Sequence, residues 1–212
     1  MISESLRERK KAETRTALGS AALHLADELG PDGVTVEAIA EAAGVSPRTF
    51  FNYFSSKEDA IVGIAPAQSS ALLADLLARP EDEAPLDALR AIMLAAADRM
   101  EASGDDWTIR HRLIQRHHSL AVRRSAWFAE VERGLAEEIA RRTGLDADLD
   151  TYPSLVVTTA IGAMRVAIAV WQERPRSGTL GDLIDETFDV LAHGLTLLQP
   201  VGPAAATRPR GC

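Results

Sequence analysis

Between Gly30 and Lys57 the sequence starts and stops helices in quick succession, and this spacing constrains the fold more than any other feature. Gly30-Pro31-Asp32-Gly33 ends whatever precedes it. Thr35 offers an N-cap and Gly44 a stop, Ser46-Pro47 pairs a second N-cap with a proline suited to a first helical turn, and Ser55-Ser56 stops the chain again. Helices this short are unstable alone, so they must cross one another steeply and share a core. Such a crossing needs a small residue where the backbones meet and a residue that tolerates positive φ at the turn, needs that Ala40 and Gly44 meet. Ile39, Ala43, Val45, Phe50 and Phe54 fall where they can face one another and the Leu18, Ala22, Leu25 stripe of the preceding helix. The segment reads as a helix-turn-helix; an αα-corner built for packing alone is the alternative that spacing leaves open.

Elsewhere strand signals are almost absent, and Ala, Leu, Glu and Arg recur at helical spacing, which predicts an all-α fold of about nine helices. The first runs from near Ser5, in the capping box Ser5-Leu6-Arg7-Glu8, to Gly30. The second follows Thr35 to Ala43, and the third runs from Ser46-Pro47 to Ser55. A fourth starts at Ser56-Lys57-Glu58-Asp59 and continues toward Leu77 before Arg79-Pro80-Glu81-Asp82-Glu83 interrupts it. Longer helices are predicted at about 85–102, 106–118, 121–143, 150–173 and 180–199. Pro200 to Cys212 reads as a mobile tail. The expected division is an N-terminal helix-turn-helix module, residues 1–56, a larger helical bundle, 57–199, and the tail, 200–212.

A length of 212 residues suits two small domains, and 46% apolar composition allows each a core. The net charge of -8 excludes a generally basic surface, so any nucleic-acid site must be local. Cysteine occurs once, as Cys212, which excludes an internal disulfide framework and a cysteine zinc site. Met1 to Lys11 lacks the apolar run of a secretory signal, and Leu155 to Trp171 is broken by Arg165, so it reads as a buried helix and no membrane partner is expected. A cytoplasmic location is expected. No phosphate loop, nucleophile elbow or His-Glu-x-x-His is present, so neither catalysis, a metal nor a cofactor is expected.

The chemistry of 35–57 points to DNA. Arg48, Thr49, Asn52 and Tyr53 lie on the polar side of a very short helix and carry groups able to reach base edges or phosphate oxygens. Lys57 stands at the first position of a helix, where the macrodipole disfavours a cation, and a phosphate contact would account for it. Of the ten aromatic residues, Phe50, Phe51, Tyr53 and Phe54 crowd into this one stretch. Phe50 and Phe54 belong to a core. Phe51 is suited to a thymine methyl or the sugar-phosphate wall. Residues 1–60 hold seven Lys or Arg against ten acids, so only the start of the first helix, with Arg7, Arg9, Lys10, Lys11 and Arg15, is locally basic. Those residues fit either a contact with the DNA backbone or a solvated helix face.

The run Thr35 to Lys57, followed by Glu58-Asp59-Ala60, resembles the DNA-binding domain of the TetR family of bacterial transcriptional regulators, whose pattern is close to T-x-x-x-I-A-x-x-A-G-V-S-x-x-x-x-Y-x-[HY]-F-x-[SN]-K-E. The likeness covers about residues 5 to 60. It departs at Phe51, where the family commonly has Tyr, and at Pro47-Arg48. The resemblance implies that Thr35, Thr49, Tyr53 and Lys57 hold phosphates and that Arg48 and Asn52 read bases; Ser46, at the N-cap, and Phe51 are also expected among the DNA-binding residues. Ser-Pro-Arg-Thr-Phe-Phe-Asn-Tyr-Phe is similar to a branch frequent in actinobacteria, some of whose members respond to acyl-CoA. It implies a ligand-responsive repressor that binds a palindromic double-stranded operator as a homodimer and is released by a small apolar effector. The alternative is a helical small-molecule-binding protein or enzyme without DNA binding.

The second half carries no motif, only pattern. The helix of about 150–173 is apolar over a surface wider than one core-facing stripe, and with the last helix it is expected to form a dimer interface that includes Val157, Ile161, Leu191 and Leu195. Met93, Met100, Trp107, Ile114, Phe128, Met164 and Trp171 are either plain core or the lining of a ligand pocket. Arg110, His111, Arg112, Arg116, His117, His118, Arg123 and Arg124 are either a solvated surface or a receiver for an effector's phosphates.

Overall fold

The computed structural model describes residues 6–64, 66–173 and 178–195, and every regular element in them is helical. In order these are α1 (Leu6–Leu29), a 3₁₀ turn (Pro31–Gly33), α2 (Val36–Ala42), α3 (Pro47–Phe50), α4 (Lys57–Val62), α5 (Pro66–Leu77), α6 (Pro85–Ala102), α7 (Asp105–Arg116), α8 (His118–Thr143), α9 (Thr151–Glu173) and α10 (Leu180–Ala192).

Among the described residues ten α-helices stand where nine were expected, because the helix predicted from Ser56 toward Leu77 is two. Gly63 ends α4 in the left-handed region at φ 79°, where its N–H donates to the Ala60 carbonyl at 3.2 Å and that of Ile64 to Asp59 at 2.8 Å. This satisfies carbonyls that the helix end would otherwise orphan, and Pro66, without an N–H, opens α5 at no cost in hydrogen bonds. The third helix, predicted to run to Ser55, ends at Phe50 and gives way to a turn in which the Asn52 N–H donates to Thr49 and that of Tyr53 to Phe50. The last helix is also shorter than predicted. It stops at Ala192, and residues 196–212, which include the predicted tail, lie outside the described residues.

Two apolar cores hold the helices. The first joins Leu18, Ala22, Leu23 and Ala26 of α1 to Ile39, Phe50, Phe54 and the α4 residues Ala60, Ile61 and Val62, and extends to Leu113, Ile114 and Leu120 at the meeting of α7 and α8. The second gathers Leu76, Leu89, Ile92, Met93, Leu135, Ile139, Val157, Ile161, Ile184 and Phe188 from α5, α6, α8, α9 and α10. Trp127 of α8 packs against both.

Two carboxylates are buried among the described residues, Asp59 and Glu138. Glu138 accepts from Arg141 Nε at 2.8 Å and from Arg142 Nε at 2.7 Å, and these guanidiniums hold its pKa down to about 2. The Arg142 guanidinium also donates to the carbonyls of Leu76 and Pro80, closing the C-terminal end of α5 and the loop beyond. One buried ion pair thereby ties α8 to the start of the α5–α6 connection.

Candidate nucleic-acid interface

The helix-turn-helix is built from local capping. Gly44 takes φ 68°, its N–H donates to Glu41 at 3.0 Å and the Val45 N–H donates to Ala40 at 2.9 Å, which terminates α2 and turns the chain. Thr35 Oγ1 accepts from the Ala38 N–H at 3.2 Å and Ser46 Oγ from that of Thr49 at 3.1 Å, so both helices start on a side-chain cap. Phe50 and Phe54 are buried, their ring centroids 5.7 Å apart, and they fix the rotation of α3.

With those two rings inside, Arg48 and Asn52 are exposed, and Phe51 is 59% exposed with its ring edge-on to Phe50 at 5.4 Å. Tyr53 is half-buried against the same core. Thr49 is half-buried, its hydroxyl 2.9 Å from that of Ser46. Thr35 is exposed and uses a lone pair for its cap, which leaves its O–H free to donate outward. Arg7, Arg9, Lys10 and Lys11 line the exposed start of α1.

Lys57 has a partner that its sequence position did not reveal. Its Nζ donates to the Val34 carbonyl at 2.8 Å and to the Pro31 carbonyl at 3.0 Å, with Asp32 at 3.5 Å. The cation therefore braces the α1–α2 connection, and this accounts for a lysine at the start of α4. Two of its three N–H groups make short bonds inside the chain, and the third has only the longer contact to Asp32.

Several cations of the second half reach back to this module. Arg110 is pushed below its ordinary pKa by burial; its Nε donates to Ile61 at 3.0 Å, and its guanidinium lies 3.2 Å from where a side chain on Gly63 would begin. Arg112 pairs with Asp27 of α1 at 2.6 Å, His24 of α1 lies 3.4 Å from Asp106, and Arg123 pairs with the buried Asp59. Arg110, Arg112 and Arg123, candidates for an effector's phosphates, are thus latches between α1, α4, α7 and α8. Arg116 and His118 are exposed.

The remaining candidates separate. Met93 and Met164 are buried in the second core, and Met100 and Trp171 pack on its edge. Trp107 meets Trp171 edge-on at 5.4 Å, whereas Ile114 is buried in the first core and Phe128 meets Trp127 edge-on at 4.9 Å. Val157 and Ile161 point into the chain's own core, Leu191 packs on its edge, and Leu195 lies beyond α10 at φ 61°. The apolar side chains that α9 leaves exposed are instead Tyr152, Leu155 (63%) and Val166 (55%). Among the described residues no group of His, Cys, Asp and Glu side chains is placed to hold a metal ion.

A capped helix-turn-helix latched onto a helical bundle defines a DNA-binding transcriptional regulator. Comparison with known proteins gives the family. The pattern of bacterial regulatory proteins, tetR family, matches residues 18–61, and that of the MftR C-terminal domain matches residues 83–196. The chain is 37% identical over 175 residues to the HTH-type transcriptional regulator TcmR of Streptomyces glaucescens, covering 80% of this chain and 77% of that one. It is 32% identical over 203 residues to MftR of Mycobacterium tuberculosis, named for mycofactocin biosynthesis, covering 93% of this chain and 99% of that one. In structure it is similar to the fatty acid degradation regulator FadR from Bacillus halodurans, with a TM-score of 0.59 at 21% identity over 85% of this chain and 99% of that one. This chain belongs to the TetR family of bacterial transcriptional regulators.

Proposed function

We propose that the chain is a cytoplasmic homodimeric repressor that binds a palindromic operator through α3 and releases it when a small apolar molecule enters the bundle. The exposure of Arg48 on α3, and of Phe51 and Asn52 in the turn that ends it, over two buried phenylalanines supports this reading best. Arg48 and Asn52 read base edges, Phe51 meets a thymine methyl or the backbone wall, and Thr35, Thr49 and Tyr53 hold phosphates. Ser46 presents the helix. Lys57 would give up its long contact to Asp32 for a phosphate while its two short bonds brace the connection behind it.

Binding titrations on operator and scrambled duplexes at several salt concentrations separate these roles. Arg48→Ala and Asn52→Ala are each expected to lose ~1–3 kcal/mol on operator and little on scrambled DNA. Lys57→Ala is expected to weaken both duplexes alike, flatten the salt slope by about one unit and lower the melting temperature, because its carbonyl partners lose a donor. Equal losses on both duplexes for Arg48→Ala would remove its reading role.

A dimer must set its two reading heads ~34–36 Å apart to enter successive major grooves. The proposed interface is the outer face of α9, with Tyr152, Leu155 and Val166, together with α10. Only 33% of the most apolar stretch of α9 is buried inside the chain, which leaves an apolar face for a second copy. Leu155→Glu with Val166→Glu is expected to give folded monomers with weak operator affinity, read by sedimentation and circular dichroism. A folded dimer from this variant would move the interface elsewhere.

The effector reading rests on the Met and Trp side chains of α6, α7 and α9, with acyl-CoA thioesters one class to test; the B. halodurans neighbour is a fatty acid degradation regulator. An effector that weakens operator binding ~100-fold must itself bind the DNA-bound form ~100-fold less tightly, a coupling of about 2.7 kcal/mol.

A further inference from the structure

Phe51 is the one phenylalanine or tryptophan exposed among the described residues. It has no room to turn inward, because Phe50 (0% exposed) and Phe54 (3%) already fill the core beneath it. Its backbone keeps helical dihedrals, φ -67° and ψ -10°, and its N–H donates to the Pro47 carbonyl at 3.4 Å. The side chain therefore leaves the end of α3 three positions after Arg48 and on the same side. Behind it stands the Phe50 ring, which it meets edge-on with centroids 5.4 Å apart and planes at 89°. A flat apolar surface is thus held outward beside an exposed guanidinium.

Chemistry separates the two surfaces such a ring could meet. The sugar-phosphate wall is charged and hydrated, and the family's common tyrosine can bond to it through a hydroxyl. Phenylalanine has no donor, so contact there strips water from phosphates and returns no hydrogen bond. A pyrimidine C5-methyl is apolar and projects into the major groove, where covering it with a ring is favourable. Arg48 adds a second constraint, because its planar fork matches guanine O6 and N7. Side chains three apart on a helix start ~5–6 Å from one another, less than two base steps of ~3.4 Å, so the methyl within reach of Phe51 belongs to the pair stacked on that guanine's.

We propose that Phe51 and Arg48 together read one base step, a 5-methylpyrimidine beside a guanine, in each half-site of the operator. The inference rests on α3 being the DNA-reading helix and names what that helix recognises. Thymine supplies the methyl in ordinary DNA. 5-Methylcytosine carries the same group at the same place, so this contact also makes binding sensitive to cytosine methylation at the step. Asn52, exposed one position further along, is left to a flanking pair.

The full chain selects a duplex from a random pool, and each thymine of that duplex is then replaced singly by deoxyuridine, which removes the methyl and keeps the base pair. One replacement per half-site, next to a guanine, is expected to weaken binding about three- to tenfold, as for uncovering one methyl group, and the others less than about twofold. In Phe51→Ala the thymine and deoxyuridine duplexes should bind alike, while Phe51→Leu, still apolar, should keep part of the difference. Exchanging that thymine–adenine pair for cytosine–guanine should weaken binding, and methylating the new cytosine at C5 should recover what the methyl contributes. 7-Deazaguanine at the neighbouring guanine should weaken the parent chain and add no further loss in Arg48→Ala. Indifference to every deoxyuridine, or a loss that persists in Phe51→Ala, overturns the methyl contact. A methyl-sensitive thymine that does not adjoin a deaza-sensitive guanine overturns the shared step. Selection of no duplex overturns α3 as a reading helix and this inference with it, whereas a selected operator without methyl dependence leaves the DNA-binding regulator standing and removes only the contact of Phe51.

Discussion

Arg123→Ala is expected to destabilise the fold by about 1–3 kcal/mol, less than removing one partner of a fully buried pair costs, because Asp59 is buried but the Arg123 side chain is 42% exposed. Asp59 is buried at the first turn of α4, and Arg123 of α8 is its ion-pair partner. The α4 N-terminus favours a carboxylate there but does not replace a guanidinium. The loss should exceed that of Arg112→Ala, because Arg112 and Asp27 are both open to water and their pair is worth at most about 1 kcal/mol. Urea titration compares the two. Arg123→Met combined with Asp59→Leu should recover much of the lost stability, since the burial cost leaves with the pair. It should not recover the effector response, because α4 would no longer be held to α8 by a directional contact. Equal stability of Arg123→Ala and the parent chain would mean that water reaches Asp59.

Glu138→Ala is expected to cost more, about 3–5 kcal/mol, by leaving Arg142, only 3% exposed, with backbone carbonyls and no counter-charge. The same pair gives an acid signature. The hydrogen bond from Arg141, then that from Arg142, hold the carboxyl near pKa 2, below its unfolded value of about 4.3. A depressed folded pKa stabilises above the unfolded value and is lost as pH falls toward the folded one. Melting temperature should therefore fall between about pH 4.5 and 2, and less steeply in Glu138→Gln. The contribution is on the order of 2–3 kcal/mol, reduced because Arg141 is half in water. Parallel melting curves for the two proteins across that window would assign the acid sensitivity to other carboxylates.

The helix-turn-helix was legible because its determinants are local. Caps at Thr35 and Ser46, the turn at Gly44 and the Phe50–Phe54 spacing each act within a few residues. The break at Gly63 was legible in the same terms, as a glycine followed by Pro66, but the capping box at Ser56 and the apolar run after it suggested one continuous helix. The carbonyl partners of Lys57 lie 23 and 26 residues away, and Asp59 lies 64 from Arg123, so no spacing rule reaches them. Val157 and Ile161 belong to a helix apolar nearly all round. Its pattern gives it more than one apolar face, and only packing against α10 and α6 decides which is internal.

The first core has a practical consequence for exchanging DNA specificities among such regulators. Leu113, Ile114 and Leu120 sit in the same apolar cluster as Phe50 and Ile61, so the reading head has no floor of its own. A cut anywhere near α4 would strip apolar contacts from both pieces and sever the Arg110 and Arg123 latches. Transplanting a whole head onto a foreign bundle therefore requires the facing residues of α7 and α8 to travel with it. If the proposed reading residues are right, recoding is better done by changing positions 48, 51 and 52 alone, which are exposed on a scaffold that stays in place.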